Sequence, residues 1–218
     1  MIFCRLTLLF GLLVVGLGQA LGQVERYEFS RPLMGMGFRI VVYAEAKPLA
    51  KRVSDAAFDR VAVLNNIMSD YDPESELSKL SDLAGSGATV RISDELVHVL
   101  DAGQALAVNS DGAFDVTAGA STQLWRRARR LKRMPPDYVL ENARKATSYR
   151  SLKLDKQFKT AELVKPGVRL DLGGIAKGYA LDEALSVLRK NGMKQALVSA
   201  GGDIAAGSAP PGKPGWKI

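Results

Sequence analysis

Cysteine occurs once in this chain, at Cys4, and histidine once, at His98. Those two counts exclude a disulfide framework, a thiolate metal centre and a multi-histidine metal site. No G-x-x-x-x-G-K-[ST] phosphate loop is present, and no G-x-G-x-x-G follows a first strand, so kinase and NAD-dehydrogenase readings fall away. There is no internal repeat and no long low-complexity tract. The one extended apolar run, Leu6 to Leu17, is short for a full membrane span. The rest is ordinary for a globular domain: 218 residues, 47% apolar and 24% charged, long enough to bury a core. Formal net charge is +7.

Residues 1–22 read as a secretory signal peptide, with Arg5 before the apolar run and Ala20-Leu21-Gly22 as a small-residue cleavage site. The other reading is an uncleaved membrane anchor. Either one predicts an exported chain, periplasmic or in the cell envelope, with membrane association through the N-terminal segment in the second case. The folded domain is then residues 23–218, without cysteine.

The chain is organised around residues 168–207. Val168, Leu170 and Leu172 alternate as a buried strand would. Gly173-Gly174 permits a tight turn and close approach to a ligand. Ala180, Leu181, Ala184, Leu185 and Leu188 make the apolar stripe of a helix that ends near Gly192. Gln195 to Ala200 reads as a second strand, followed by Gly201-Gly202-Asp203. Asp171, Lys177, Asp182 and Asp203 all fall in this unit, where an anion with a divalent metal fits.

Upstream, Phe38 to Ala44 reads as a strand after an extended lead, Tyr27 to Pro32. Pro48 opens a helix to about Met68, with Leu49, Val53, Ala56, Ala57, Val61, Leu64 and Met68 inward. Ser75 and Ser93 are candidate N-caps. The helix after Ser93 runs to about Val108 with Leu96, Val97, Leu100, Leu106 and Ala107 as its apolar face, and His98 on it is structural or solvent-facing. Another helix spans 137–147, and residues 151–155 and 160–164 pair as a hairpin. Trp125 reads as a core plug, and Trp216 to Ile218 as the start of a strand. Residues 126–133 carry six basic side chains. They form either a nucleic-acid or anionic-membrane contact or, as preferred here, a solvated basic face near an anionic-ligand site. Export argues against nucleic acid. The fold class predicted is α/β (α+β), with a mixed, largely antiparallel sheet and flanking helices rather than a doubly wound parallel sheet.

Three blocks resemble one family. Asp171-Leu172-Gly173-Gly174-Ile175-Ala176-Lys177-Gly178-Tyr179-Ala180-Leu181-Asp182, with Leu197 to Ile204 after it, closely resembles the ApbE-type flavin transferases, the FAD:protein FMN transferases. Met68 to Leu80 resembles their L-S-x-Y-x-x-x-S-E-L-x-x-L block, with Asp70 and Ser81 where Thr and Asn are usual; Ser81 is expected to weaken a loop hydrogen bond. Gly112 to Ala120, followed by Leu124-Trp125, resembles their G-x-F-D-x-T-x-G-P-L block, with Ala120 in place of proline. The resemblance covers nearly all of the chain after residue 22.

What the resemblance implies is Mg²⁺-dependent transfer of FMN from FAD to a Thr or Ser hydroxyl of a partner protein, with release of AMP. Met34 would touch the flavin or nucleotide, or sit in the core. Tyr71 would stack on a planar ring, or close the core. Ala113, Phe114 and Asp115 would contact FAD, with Asp115 alternatively a turn acid and Thr117 fixing the loop. Asp171 would bind ribose or ribityl hydroxyls, and Lys177 would lie near the phosphates. Gly174 would offer a main-chain carbonyl to Mg²⁺. Asp182 is expected to brace the helix and loop, and Asp203 to be a brace or an outer contact. No catalytic residue is assigned. The family pattern continues past Ile218 with further metal ligands, so residues 23–218 alone are expected to transfer FMN poorly. The alternative is an exported FAD-binding protein without transferase activity.

Overall fold

In a computed structural model the described residues are 24–218, so the signal-peptide or anchor reading of residues 1–22 lies outside them. The described chain opens with a hairpin, β1 (Glu25–Leu33) and β2 (Met36–Ala44), in register from Glu25 opposite Ala44 to Leu33 opposite Met36. The stretch read as an extended lead is therefore a full strand. Its turn has two residues, Met34 and Gly35, both at positive φ (49° and 75°). Two-residue turns of this hand match the twist of the flanking strands.

In β2 the side chains of Phe38, Ile40, Val42 and Ala44 enter the main core, while on the opposite face Arg39 is exposed and Val41 is buried. The main-core face follows the period-2 alternation of a strand, and it has its own cover. The cover comes from α1 (Lys47–Met68) and α6 (Ala176–Lys190), whose inner faces belong to the same cluster. Each large apolar side chain sealed there contributes about 1.5–3 kcal/mol. On α1 the stripe includes Ala50 and Phe58, while Ala56, expected inward, is exposed. Arg60 on α1 ties the layer laterally through Glu183 at 2.6 Å and Glu95 at 2.7 Å. The sheet continues antiparallel through β6 (Ala196–Ala200) to β7 (Asp203–Ala206), giving the order β1-β2-β6-β7. Gly201-Gly202 signals only a turn after β6, and the structure adds β7 beyond it.

A second antiparallel sheet has the order β3 (Val90–Arg91), β5 (Thr160–Leu163), β4 (Leu152–Asp155). Between the sheets run α2 (Glu76–Asp82) and α3 (Asp94–Asn109). Ser75 and Ser93 cap them as expected, each accepting from the amide three residues on. On α3, Val99 replaces Leu106 in the buried set, since Leu106 is exposed. His98 packs on the Tyr179 ring at 5.0 Å between centroids, a structural contact. Two further helices, α4 (Gly119–Leu131) and α5 (Asp137–Ala146), form a hairpin whose main helix contact is internal.

Three expectations need correction. Residues 168–172 keep their alternating burial, but they form no ladder beyond a single parallel bridge between Arg169 and Ala118. The facing chain turns into α4 at Gly119, so pairing has nowhere to continue. Trp125 is 51% exposed and plugs nothing, because α4 faces inward with the small Gly119 and Ala128. Trp216 to Ile218 join no sheet; Trp216 instead lies against Tyr43 and donates its ring N–H to the Ser208 carbonyl at 3.0 Å. The fold class itself, α+β with antiparallel sheets, is as expected.

Candidate functional site: a groove at the hairpin turns

Two tight turns meet at one end of the larger sheet. Gly201 and Gly202, both at positive φ, close β6 onto β7, and a Cβ on Gly201 would come within 2.7 Å of the Met36 sulfur. Met34 holds a left-handed backbone in the neighbouring turn, an uncommon state for a long side chain and a pointer toward function. Beside these turns lies a groove of about 500 Å³, lined by Met34, Met36, Asp70, Tyr71, Arg126 and Lys177, with Gly173 at its floor. Three of the expected residues, Met34, Tyr71 and Lys177, therefore share one cavity. Ala176 and Lys177 begin α6, and a helix N-terminus favours an anion. Tyr71, just past α1, is 76% exposed, so its ring face is free to take a planar ligand.

Asp171, expected to contact FAD, is not in the groove lining; Arg126, which the sequence places on a solvated basic face near an anionic-ligand site, links it to the groove. Asp171 Oδ1 accepts from Gly173 N at 2.7 Å, which shapes the glycine turn. Its Oδ2 accepts from Arg126 Nη2 at 2.8 Å. Arg126 Nη1 donates to Asp70, and the guanidinium lies 4.4 Å from the Tyr71 ring centroid. One cation thus joins α4, the end of α1 and the turn before α6. Burial raises the Asp70 carboxyl above its ordinary value, Arg126 works against that, and the nearby Asp171 charge adds to it. For Arg126, burial works to lower the pKa, but hydrogen bonding to Asp70 and the charges of Asp70 and Asp171 outweigh it and raise the pKa. The available signals for Arg126 were its place directly after the Leu124-Trp125 pair and the departure at Asp70.

The loop 113–115 sits behind Gly174 rather than in the groove lining. A Cβ on Gly174 would approach the Phe114 ring to 3.0 Å. Ala113 and Phe114 spend their amides on Ser110, and Asp115 Oδ1 accepts from both Thr117 N and Thr117 Oγ1. Thr117 in turn accepts from Ser148 N, so it fixes the loop as expected. Ser81, expected to weaken a loop contact, instead accepts from Leu170 N at 3.1 Å and supports the segment leading to Asp171. Asp182 is exposed on α6 and braces nothing among the described residues; Arg60 with Glu183 does that work. Asp203 is exposed at the start of β7.

A hard divalent cation wants about six oxygens. Among the described residues no three His, Cys, Asp or Glu side chains come together, and both Asp171 oxygens are engaged. These residues do not by themselves build a cation site. A larger cavity of about 830 Å³ lies on the other face of the sheet, between Tyr43, Leu197, Ile204 and Trp216. None of the recognised motif's glycine-turn residues reach it, so the groove at the hairpin turns is the candidate.

An α+β core that gathers a helix N-terminus, a lysine and an exposed aromatic ring at paired hairpin turns defines a site for an anionic, ring-bearing ligand. The chain belongs to the ApbE family, whose model matches residues 34–218. It is 28% identical over 212 residues to an FAD:protein FMN transferase of Chlamydia muridarum, covering 95% of this chain and 65% of that one. It is 30% identical over 205 residues to one of Treponema pallidum, covering 89% and 56%. Among solved structures it is similar to the ApbE protein of Thermotoga maritima, with a TM-score of 0.76, 30% identity and coverage of 87% and 61%. The flavinyl transferase ApbE of Pseudomonas stutzeri gives 0.80, with 25% identity and coverage of 91% and 63%. The chain therefore spans somewhat under two thirds of the length of these relatives.

Proposed function

We propose that the chain binds FAD in the groove at the hairpin turns and serves transfer of FMN from FAD to a Ser or Thr hydroxyl of a protein, releasing AMP. The observation that carries this reading is the convergence of Met34, Tyr71 and Lys177 on one groove, with Asp171 held at its edge by Arg126. In the reaction the acceptor oxygen bonds to the FMN-side phosphorus, the bridging bond to the AMP phosphate breaks, and the hydroxyl proton is lost. Such a step is mainly positioning and charge stabilisation. Tyr71 offers a ring face, Lys177 and the α6 N-terminus offer positive potential to the phosphates, and Asp171 offers acceptors for sugar hydroxyls. Gly174, backed by Phe114, is where the backbone lies open to a ligand. Mg²⁺ belongs to the proposal as the ion that would neutralise phosphate charge, with the Gly174 carbonyl as one ligand.

The test is incubation of the full chain with FAD, Mg²⁺ and an acceptor protein bearing the Ser or Thr site. Covalent flavin on the acceptor with an equal amount of AMP is the expected result, formed slowly because these residues do not by themselves build a cation site. Saturable FAD binding with no AMP would mean a flavin-binding protein without transferase activity, and the transfer reading would be wrong.

A further inference from the structure

We infer that the tip of the α4–α5 hairpin is a docking surface for an anionic lipid bilayer. A helix of a globular domain ordinarily buries large apolar side chains along one stripe. On α4 only Gly119 and Ala128 are buried, and on α5 only Ala143 and Ala146. Three large apolar residues of the hairpin stay open to solvent along the groove between its helices: Leu131, Met134 and Tyr138 are 57%, 63% and 70% exposed. Six consecutive exposed residues, Arg129 to Met134, mix four cations with Leu131 and Met134. Between the two helices a groove of about 320 Å³ is lined by Ala128, Pro135 and Val139 together with Arg127 and Arg133. No acidic residue occurs from Val116 to Pro136, and among the described residues no salt bridge engages Arg127, Arg129, Arg130, Lys132 or Arg133, while nearby Glu141 is paired with Arg144 and Lys145.

Exposed cations interleaved with insertable apolar side chains are what an anionic bilayer surface selects: the charges meet headgroups while Leu, Met and Tyr enter the interface. An acidic peptide is the less favoured occupant. The hairpin offers it no strand edge, and the exposed Leu131, Met134 and Tyr138 find no apolar counterpart in an acidic chain. No helix of the described residues is long and apolar enough to cross a membrane, so the contact is interfacial. Arg126 begins the same basic run inside the FAD groove, and Leu131 lies five residues on, about 7.5 Å along a helix. Docking would therefore hold the groove close to the bilayer. The inference stands on the hairpin alone and not on the FMN-transfer reading.

Hydrogen exchange on the full chain tests it, read on residues 127–138 with vesicles of phosphatidylglycerol and phosphatidylcholine against vesicles of phosphatidylcholine alone. Protection confined to the anionic vesicles, and lost as salt rises, is expected. Each surface cation contributes on the order of fivefold in partitioning. Joint Arg129→Gln, Arg130→Gln and Arg133→Gln substitution should then lower anionic-vesicle binding roughly a hundredfold, with FAD binding unchanged as a check on folding. Leu131→Ser with Met134→Ser should weaken what remains at high salt. Equal protection on both vesicle types, binding unaffected by the arginine changes, protection by polyglutamate but not by vesicles, or no protection at all would each overturn the inference.

Discussion

Arg126 donates to Asp171 at 2.8 Å across 45 positions of sequence, tying the basic helix α4 to the glycine turn before α6. The same guanidinium also holds Asp70 and lies against the exposed ring of Tyr71. Asp70, in the groove lining, and Asp171, just behind it, have side chains only 10% exposed, with one cation between the two carboxylates. A phosphate-bearing ligand entering that groove meets less negative charge because Arg126 is there.

Arg126→Gln should weaken FAD binding at least severalfold and destabilise the fold by about 1–3 kcal/mol, the cost of leaving buried carboxylates without their partner. Arg126→Lys should recover only part, since an ammonium cannot match the planar fork that reaches both acids. Adding Asp70→Asn to Arg126→Gln should restore much of the FAD affinity, because the surplus negative charge goes with it. FAD titrations and denaturant unfolding of the wild type, Arg126→Gln, Asp70→Asn and the double variant form the cycle. Additive effects of the two substitutions would contradict the electrostatic role and leave Arg126 a packing residue.

Asp70 makes stability depend on pH in a definite direction. Its native carboxyl is raised above the ordinary 3.8, by burial first and by Asp171 after it. Between the unfolded and native values the folded chain holds the extra proton. The stabilising share is complete below the unfolded value and is lost as pH rises through the native one. Asp70→Asn removes that slope. Unfolding midpoints measured from strongly acidic to neutral pH should show the variant gaining on the wild type as pH rises. A variant that instead gains as pH falls would reverse the assigned direction.

Gly119 sets how closely α4 approaches the segment carrying Asp171. A Cβ there would lie 2.6 Å from the Arg169 carbonyl oxygen and 2.8 Å from that of Leu170. Both obstacles are backbone and cannot swing away. Gly119→Ala should cost about 1–3 kcal/mol in urea unfolding, despite the better helix propensity of alanine. It should also lower FAD affinity by shifting Asp171. Wild-type stability in this variant would mean that the two segments part without loss.

The readable parts of this fold were those governed by local rules. Ser75 and Ser93 announce their helices by capping, and the hairpin of residues 152–163 follows from short β-prone runs around a turn. Met34, Tyr71 and Lys177 were legible through motif resemblance, and the structure brings them to one groove. What failed depends on tertiary placement. Trp125 is apolar and helical, yet nothing in its own sequence says that α4 approaches the core through Ala128. Arg126 is one arginine in a basic run, and only its position opposite Asp70 and Asp171 separates it from the solvated ones. Asp203 to Ala206 was read as loop because Gly201-Gly202 signals a turn without showing that a strand follows.

The central claim is that FAD sits against Tyr71 and Lys177. Its most direct test is a flavin-fluorescence titration of the wild type, Tyr71→Ala, the Tyr71→Ala/Lys177→Gln double variant, and Trp216→Ala, which alters the separate cavity across the sheet. Loss of ring contact at Tyr71 should weaken binding roughly threefold to tenfold, and the double variant should bind weaker still. Trp216→Ala should titrate like the wild type. Folded Tyr71 and Lys177 variants that titrate like the wild type, while Trp216→Ala loses affinity, would place the flavin in the other cavity and contradict the account.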